Sequence, residues 1–303
     1  MTRSRIWLYL GTIVALFLLT TGWYASAFYQ ASRLPPTTFD GDRAWRDVQT
    51  QVAFGPRIPQ SDAHAKTVAW MQEELVAAGW NAQVQSLTYM GHPIQNVIAS
   101  RGSQTPQIIL GAHYDSRLHA DHDPDPGRRN EPVPGADDGA SGVAVLLELA
   151  RTLPSDSVPI SIVLFDAEDN GNIPGWDWIL GSRAYVANMD FTPQAMILVD
   201  MVGGANLSLP MEGNSDPSLR RSIWETASQL GYDEIFLPQV KYNIEDDHIP
   251  FIQAGIPSVD IIDLDYPYWH TTEDTADHVS PRSLQAVGNV LQAWIAEQTP
   301  AAR

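Results

Sequence analysis

The sequence predicts an α/β fold with three layers, α/β/α, around a mostly parallel mixed central sheet. Short apolar runs alternate with amphipathic helical patterns, as a sheet covered by helices on both faces requires. The predicted strands cover residues 95–99, 107–112, 160–166, 195–200 and 258–262. The predicted helices cover residues 61–78, 141–153, 218–230 and 283–296, and Ser61 or Asp62 caps the first of them.

Composition limits the class of protein. The 303 residues are 44% hydrophobic, which is enough for one large core. The net charge of -18 argues against nucleic acid as a partner, because an acidic surface repels phosphate. The chain has no cysteine, so disulfides and thiolate metal sites are excluded and any metal must be bound by His, Asp or Glu.

The N-terminus contains an apolar segment. Residues 6–24 carry no charge and follow Arg3 and Arg5. This length can span a bilayer, and the arginines predict a cytoplasmic N-terminus with the rest of the chain outside. Residues 25–27 (Ala-Ser-Ala) resemble a signal cleavage site, so secretion after cleavage is the alternative. The predicted organisation is an anchor or signal segment (1–29), a spacer (30–38) and one catalytic domain (39–303).

Metal-capable side chains follow most of the predicted strands. In open α/β sheets, ligands bind at the carboxyl ends of the strands. These ends carry His113 with Asp115, Glu168 with Asp169, and Asp200, whereas Asp137 and Asp138 precede a helix, and Trp269 and His270 lie near the C-terminus. Several such endings together predict one functional site.

The residue types at these positions suit a divalent metal. Imidazole and carboxylate are ligands of zinc, which takes three protein ligands and keeps an open position when it is catalytic. Clustered carboxylates repel one another unless a cation neutralises them. The carboxylates concerned are Asp138, Glu168, Asp169, Asp200 and Asp246. We therefore expect a bound metal ion.

Five motifs carry a resemblance to a known family. In chain order they are PGADDGASG, FDAED, LVDMVG, EDDHIPF and YWHTTEDT. The ordered set resembles the superfamily of zinc aminopeptidases and animal-type glutaminyl cyclases, from about Trp45 to the end of the chain. This resemblance implies an enzyme that acts on the amino-terminal end of peptides or proteins.

The resemblance also implies roles for individual residues. The implied zinc ligands are Asp138, Asp169 and His270, and Glu168 is the implied general acid/base. Asp169 stands where the family usually has Glu, which is one methylene longer. His113 and Asp200 match the ligands of a second zinc in the aminopeptidases, but both types also occur in cyclases that bind one. The number of zinc ions, one or two, therefore stays open.

Other residues are expected around the ligands rather than on the metal. Asp115 resembles the residue that orients His113, Asp137 lies beside a ligand, and His248 is expected to orient its loop by hydrogen bonds. The polar loop 117–134 is expected either to be mobile or to border the site. The two histidines of this loop, His119 and His122, are expected to be solvated. His64, His92 and His278, which lie outside the motifs, are expected at the surface or at helix caps.

Two features separate the branches of the superfamily. Trp269 before the last zinc histidine, and the acid pair at Asp246, resemble the cyclases. The segments HTTEDT and VSPRSL instead resemble the corresponding segments of many aminopeptidases. In the cyclase branch, Trp269 walls a small substrate pocket and Asp246 joins a relay with Glu168 and Asp200. Trp176, or Trp178 two residues on, is also expected to line the pocket.

The sequence thus favours a zinc-dependent glutaminyl-peptide cyclotransferase that converts N-terminal Gln to pyroglutamate and releases ammonia. The catalytic residues would be Glu168, Asp200 and Asp246. The alternative is a zinc aminopeptidase that hydrolyses the N-terminal residue from peptides, with a water activated by Glu168. An inactive peptide-binding ectodomain is a third hypothesis, and the presence of Glu168 argues against it.

Overall fold

The computed structural model describes residues 37–299 and the isolated positions Leu16 and Thr20. The helices are α1 (Gly41–Ala53), α2 (Asp62–Ala77), α3 (Ala140–Thr152), α4 (Leu180–Ala187), α5 (Pro217–Gln229), α6 (Ile249–Gln253) and α7 (Pro281–Gln298), with a 3-10 turn at Ala276–His278. The strands are β1 (Asn81–Tyr89), β2 (His92–Ser100), β3 (Ile108–His113), β4 (Ile160–Phe165), β5 (Ala195–Asp200), β6 (Leu209–Glu212), β7 (Phe236–Tyr242) and β8 (Ser258–Ile262).

Six strands form the central sheet, in the order β1-β2-β4-β3-β5-β8. β3 pairs in parallel with β4 and β5, and β5 pairs in parallel with β8. β1 and β2 form an antiparallel hairpin that joins the sheet by antiparallel pairing of β2 with β4. A separate pair, β6 and β7, is parallel.

Helices cover both faces of this sheet. Successive side chains of a strand point to opposite faces, so Ile108 and Leu110 of β3 pack with α1, α2, α3, α5 and α7. Ile109 between them packs with Tyr185 of α4 and Phe251 of α6 on the other face. The predicted fold class, a three-layer α/β/α arrangement with a mostly parallel mixed sheet, is confirmed.

Helix starts follow the capping residues in the sequence. Ser61 accepts a hydrogen bond from the His64 amide in front of α2. Asp216 and Ser280 cap α5 and α7, and a proline occupies the first turn of each helix. Six elements lie outside the predicted set: β1, β6, β7, α1, α4 and α6. No residue of β1 is fully buried, so it lacks the apolar run that marks the central strands.

His64 differs from its prediction. It was expected at the surface or at a cap, but its side chain is buried in the described structure. Its Nε2 lies 2.8 Å from Asp166 Oδ1 and 2.9 Å from the Tyr114 hydroxyl. A histidine on an amphipathic helix can be buried when a carboxylate and a hydroxyl satisfy its ring nitrogen, and here they come from the sheet.

The apolar segment 6–24 lies outside the described residues, apart from Leu16 and Thr20. Within the part of the chain that is described, no helix is both long and apolar enough to cross a bilayer. Anchoring, or secretion after cleavage, stays a prediction from the sequence.

Candidate metal centre and pocket

The carboxyl ends of the parallel strands supply most of the candidate site residues. β3 ends at His113, β5 ends at Asp200, and the turn after β4 carries Glu168 and Asp169. These strands are parallel neighbours, so their ends lie at one edge of the sheet. The loops before α3 and after β8 bring the remaining candidates to the same edge.

Asp138, Asp169 and His270 come together there, and we call them the His270 cluster. Their ligand atoms all lie within 4.8 Å of one another. His270 Nε2 is 2.9 Å from Asp169 Oδ1 and 3.8 Å from Asp138 Oδ2. Within residues 37–299, however, both nitrogens of His270 and the Oδ2 atoms of the two aspartates form no hydrogen bond. Buried polar atoms without partners are costly, so this donor set fits a divalent cation.

A second group shares Asp138, and we call His113, Asp138 and Asp200 the His113 cluster. His113 Nε2 lies 3.0 Å from Asp138 Oδ1 and 3.1 Å from Asp200 Oδ1. Burial alone would lower the pKa of His113, but the charge of Asp200 and hydrogen bonds to three carboxylates, including Asp115, raise it well above its usual range. Of the two imidazole nitrogens, Nε2 forms a hydrogen bond with Asp200, whereas Nδ1 forms none within residues 37–299.

Asp115 organises the turn after β4. Its carboxylate accepts hydrogen bonds from the amides of Glu168 at 3.0 Å and Asp169 at 3.3 Å. The same carboxylate lies 3.5 Å from His113 Nδ1. One buried side chain thus orients both a candidate ligand and the segment that carries the general acid/base.

Asp137 and Asp138 are held at the start of α3 by their backbone. Both amides donate to the carboxylate of Asp274, at 2.9 and 3.2 Å. The Asp137 side chain accepts from the Gly203 amide at 2.7 Å, apart from the cluster ligands. Burial and the charge of Asp274 raise the pKa of Asp137 well above its usual range. Asp274, which also accepts the Tyr266 hydroxyl at 2.8 Å, was missed from the sequence because an acid that acts on the site through backbone amides has no local signature.

Arg57 was also missed. Its guanidinium is fully buried and donates to the carbonyl oxygens of Tyr114 and Pro134, both at 2.8 Å, and of Gly135 at 2.5 Å. Burial lowers its pKa to about 10, so it remains a cation. It joins the segment after β3 to the segment before α3 and places a positive charge near the acidic site.

Burial dominates the electrostatics of the other acids. It raises the pKa of Glu168 well above its usual range, and the charges of Asp246 and Asp169 raise it further against the opposing charge of His113. Burial also raises the pKa of Asp169 to about 6 and of Asp200 to about 7. A cation at the site would favour the ionised forms and lower these values.

Backbone strain is concentrated at this edge of the sheet. Positive φ angles occur beside Glu168 and Asp200 and at His270 itself; the residues are Ala167 (52°), Ile179 (57°), Met201 (45°) and His270 (56°). The Ile179 amide donates to the Glu168 carbonyl oxygen at 2.9 Å. Non-glycine residues adopt this region at a cost of about 1–3 kcal/mol each, usually at functional sites.

A cavity of about 290 Å³ opens onto these residues. Its apolar wall consists of Trp178, Met201, Ile244, Ile262, Leu264 and Trp269. Its polar wall consists of Asp138, Glu168, Asp169, Asp200, Asn243, Glu245, Asp246 and His270. Trp176, which was expected to line the pocket, instead stacks on His92 with ring centroids 4.0 Å apart. Trp178 takes its expected place, because the turn before α4 directs the two rings to different neighbours.

The two acids and the histidine of EDDHIPF point to different places. Asp246 lines the cavity, whereas Asp247 and His248 are buried behind it. His248 Nε2 lies 3.3 Å from Glu212 Oε2, and Nδ1 lies 3.9 Å from Asp260 Oδ2. Glu212 also accepts the Ile244 amide at 3.0 Å, so His248 and the segment between β7 and Asp246 lie beside one carboxylate. Within residues 37–299 neither nitrogen of His248 forms the hydrogen bond that was expected to orient this loop.

Sequence comparisons agree with the motifs. A model of peptidase family M28 matches residues 96–295. Aminopeptidase YwaD of Bacillus subtilis is 31% identical over 225 residues, which are 67% of this chain but 44% of that protein. The glutaminyl-peptide cyclotransferase-like protein of Bos taurus is 25% identical over 80% of this chain and 72% of its own length.

The solved structures that are similar to this chain also include both a glutaminyl cyclase and an exopeptidase. A glutaminyl cyclase of Tannerella forsythia has a TM-score of 0.81 and 35% identity, covering 86% of this chain and 99% of that one. A Zn-dependent exopeptidase of Parabacteroides distasonis has a TM-score of 0.81 and 34% identity over the same shares. The resemblance inferred from the motifs is confirmed, and proteins named for either activity are similar to this chain to the same degree.

Proposed function

The chain belongs to peptidase family M28, and from that membership we propose that it is a zinc-dependent glutaminyl-peptide cyclotransferase. It would convert the N-terminal glutamine of a peptide to pyroglutamate and release ammonia. The choice within the family depends on how many ions the site holds, because the cyclases resembled here bind one zinc and the aminopeptidases two.

The difference between the two clusters supports one ion. The His270 cluster has buried ligand atoms that lack hydrogen-bond partners within the described residues. In the His113 cluster, by contrast, one imidazole nitrogen, Nε2, forms a hydrogen bond with Asp200. A buried site whose ligand atoms are unpaired gains most from a cation, whereas a site whose imidazole already forms a hydrogen bond with a carboxylate gains less.

The cavity also suits a small amide side chain. Trp178 and Trp269 lie on its apolar wall, and Glu168, Asp200 and Asp246 lie on its polar wall. An uncharged glutamine side chain could pack its methylenes on the indoles while its amide nitrogen donates to the acids. The free α-amine of the substrate is attracted by the same negative charge.

The reaction can be derived from these positions. Zinc bound by Asp138, Asp169 and His270 would supply a Lewis acid that polarises the side-chain amide carbonyl. The α-amine nitrogen forms a bond to the amide carbon, and the bond from that carbon to the amide nitrogen breaks. Glu168 accepts the proton from the α-amine and delivers it to the departing nitrogen, which leaves as ammonia.

Neighbouring acids adjust Glu168 to this task. Its raised pKa, caused by burial and by the charges of Asp246 and Asp169, makes it a better proton acceptor than an ordinary carboxylate. Asp200 and Asp246 face the same cavity and would hold the leaving nitrogen by hydrogen bonds.

An aminopeptidase is the alternative, and one observation favours it. Within each cluster the candidate ligand atoms lie within 4.8 Å of one another, and the two clusters share Asp138. The Asp138 carboxylate would therefore be able to bridge two ions. In that case Glu168 would activate a water molecule, and the peptide bond after the first residue would be hydrolysed.

A direct assay separates the two functions. The purified protein is offered one peptide with N-terminal Gln and one with N-terminal Leu, and the products are weighed by mass spectrometry. Loss of one ammonia from the Gln peptide, with the Leu peptide intact, is the expected result. Loss of a whole residue from either peptide would overturn the cyclase proposal in favour of the aminopeptidase.

A further inference from the structure

The second nitrogen of His270 faces away from the other ligands of its cluster. Nε2 approaches Asp138 and Asp169, whereas Nδ1 lies 3.6 Å from Asp121 Oδ1. His270 is 2% exposed, and its Nδ1 forms no hydrogen bond within residues 37–299. A histidine that binds a metal through one nitrogen almost always donates the other N–H to a carboxylate, a carbonyl or water.

Asp121 is held in this position by Arg117. The Arg117 side chain donates from Nε to Oδ1 at 2.8 Å and from Nη2 to Oδ2 at 2.7 Å. Such a bidentate pair fixes the orientation of the carboxylate as well as its position. Asp121 is therefore fixed more firmly than its exposed place on the polar loop 117–134 would suggest.

Arg117 is itself anchored to the metal centre. It is 1% exposed and donates to the carbonyl oxygens of Asp169 at 2.8 Å and Gly171 at 3.1 Å. Its guanidinium lies 5.1 Å from the ring centroid of Trp178, and that ring is nearly parallel to His270, at 6.1 Å and 16°. The guanidinium thus connects the backbone of one candidate ligand to a carboxylate beside another.

We propose that Asp121, held by Arg117, is a positioning residue that accepts the Nδ1–H of His270 and fixes its ring for zinc. The 3.6 Å separation would shorten to an ordinary hydrogen bond when Nε2 is bound to the metal. This makes the polar loop part of the metal centre. The proposal rests on the metal site of the proposed function, and not on the choice between cyclase and aminopeptidase.

The zinc affinity of the full-length protein tests this proposal. Zinc is titrated in competition with a chromophoric chelator, which reports binding without any substrate. Asp121→Asn should weaken zinc binding by about 10- to 100-fold, the usual effect of losing a partner of a metal-binding histidine. Asp121→Glu, which restores the carboxylate, should recover most of this loss.

Asp125→Asn is the matched control. It is the same chemical change in the same loop, but Asp125 Oδ1 accepts only the exposed Gly127 amide. Zinc affinity should stay within about twofold of the wild type in this control, and the melting temperature of the metal-free protein, measured for both asparagine variants, separates a loss of fold stability from a loss of metal binding. In the cobalt-substituted protein, the visible absorption bands should shift for Asp121→Asn and not for the control.

The outcomes are distinct. Wild-type zinc affinity and an unchanged cobalt spectrum for Asp121→Asn would overturn the positioning role and leave the metal site intact. Failure of the wild-type protein itself to bind zinc would overturn the metal site, and both catalytic hypotheses with it. If Asp121→Asn lowers both the melting temperature of the metal-free protein and the zinc affinity, and Asp121→Glu restores neither, the residue is structural and the positioning role is overturned.

Discussion

The two clusters at the edge of the sheet contain the same residue types and share Asp138, yet they differ in how their polar atoms are satisfied. His113 lies between two carboxylates, and its Nε2 forms a hydrogen bond with one of them, Asp200. His270 lies close to two carboxylates, but its nitrogens lack partners within the described residues. The comparison teaches that residue types alone do not define a metal site; the hydrogen bonds already formed by each ligand atom do.

Glu168 lies beside both clusters, and its loss should have the largest effect. Glu168→Gln keeps the size of the side chain but removes its proton transfer, so turnover should fall by about 10²- to 10⁴-fold. Bound zinc, measured in the same sample, should be unchanged, because Glu168 is not a proposed ligand. Retained turnover with zinc still bound would remove Glu168 as the proton shuttle.

Paired histidine variants would test the comparison directly. His270→Gln should reduce bound zinc from about one ion per chain to almost none, whereas His113→Gln should leave about one. Elemental analysis after dialysis against dilute zinc measures both. Two ions in the wild-type protein, falling to one in His113→Gln, would show that the His113 cluster also binds metal and would favour the aminopeptidase.

Metal removal should destabilise the fold in a pH-dependent way. At free zinc one hundredfold above its Kd, binding adds about 2.7 kcal/mol, or roughly 5–10 °C in melting temperature for a domain of this size. Without metal, burial raises the pKa of Asp169 to about 6 and of Asp200 to about 7 from an unfolded value of 3.8. The metal-free folded state therefore binds these protons more tightly than the unfolded state does. The resulting contribution to the free energy of unfolding is fully present below pH 3.8 and is lost as the pH rises through 6 and 7.

Thermal melts with and without chelator measure this effect. The increase in melting temperature due to zinc should grow between about pH 5 and about pH 8, because the ligands bind zinc in their deprotonated forms. An increment that is constant over this range would mean that the carboxylates of the His270 cluster are not the ligands.

The smallest expected effect concerns the pocket beside the His270 cluster. Trp178→Phe removes part of the apolar wall and should raise KM by roughly 10-fold, within the range for a loss of about 1–3 kcal/mol in pocket contacts. Trp176→Phe is the matched control, since Trp176 stacks on His92 instead. Equal KM values for the two variants would argue against Trp178 as a substrate contact.

Sequence reasoning succeeded where a residue's role follows from its own segment. The buried strands β3 and β5 are apolar runs up to their last residue, so their ends, and hence His113 and Asp200, could be located. Convergence at one edge then followed from parallel pairing. β1 was missed because its side chains are at most half-buried, which leaves no apolar run to detect.

The remaining site residues depend on contacts that have no sequence pattern. Arg57 acts through the carbonyl oxygens of a distant loop, and Asp274 acts through amides, so neither requires a particular side chain opposite it. Trp176 and Trp178 could not be separated because their segment has no regular structure, and no periodicity specifies which ring faces the cavity.

The left-handed backbone at Ala167, Met201 and His270 has a consequence for engineering. Glycine at Ala167 would adopt the same φ without steric cost and so raise heat resistance, in contrast to its usual effect. Met201 is different, because its buried side chain packs against Ile262 and Tyr266 and glycine would lose that packing. The change at Ala167 would allow the neighbouring acid more freedom, since nothing would then enforce the bend. Thermostability and catalytic activity should therefore trade against each other at Ala167, and a directed-evolution screen for heat tolerance alone would select variants with lower activity.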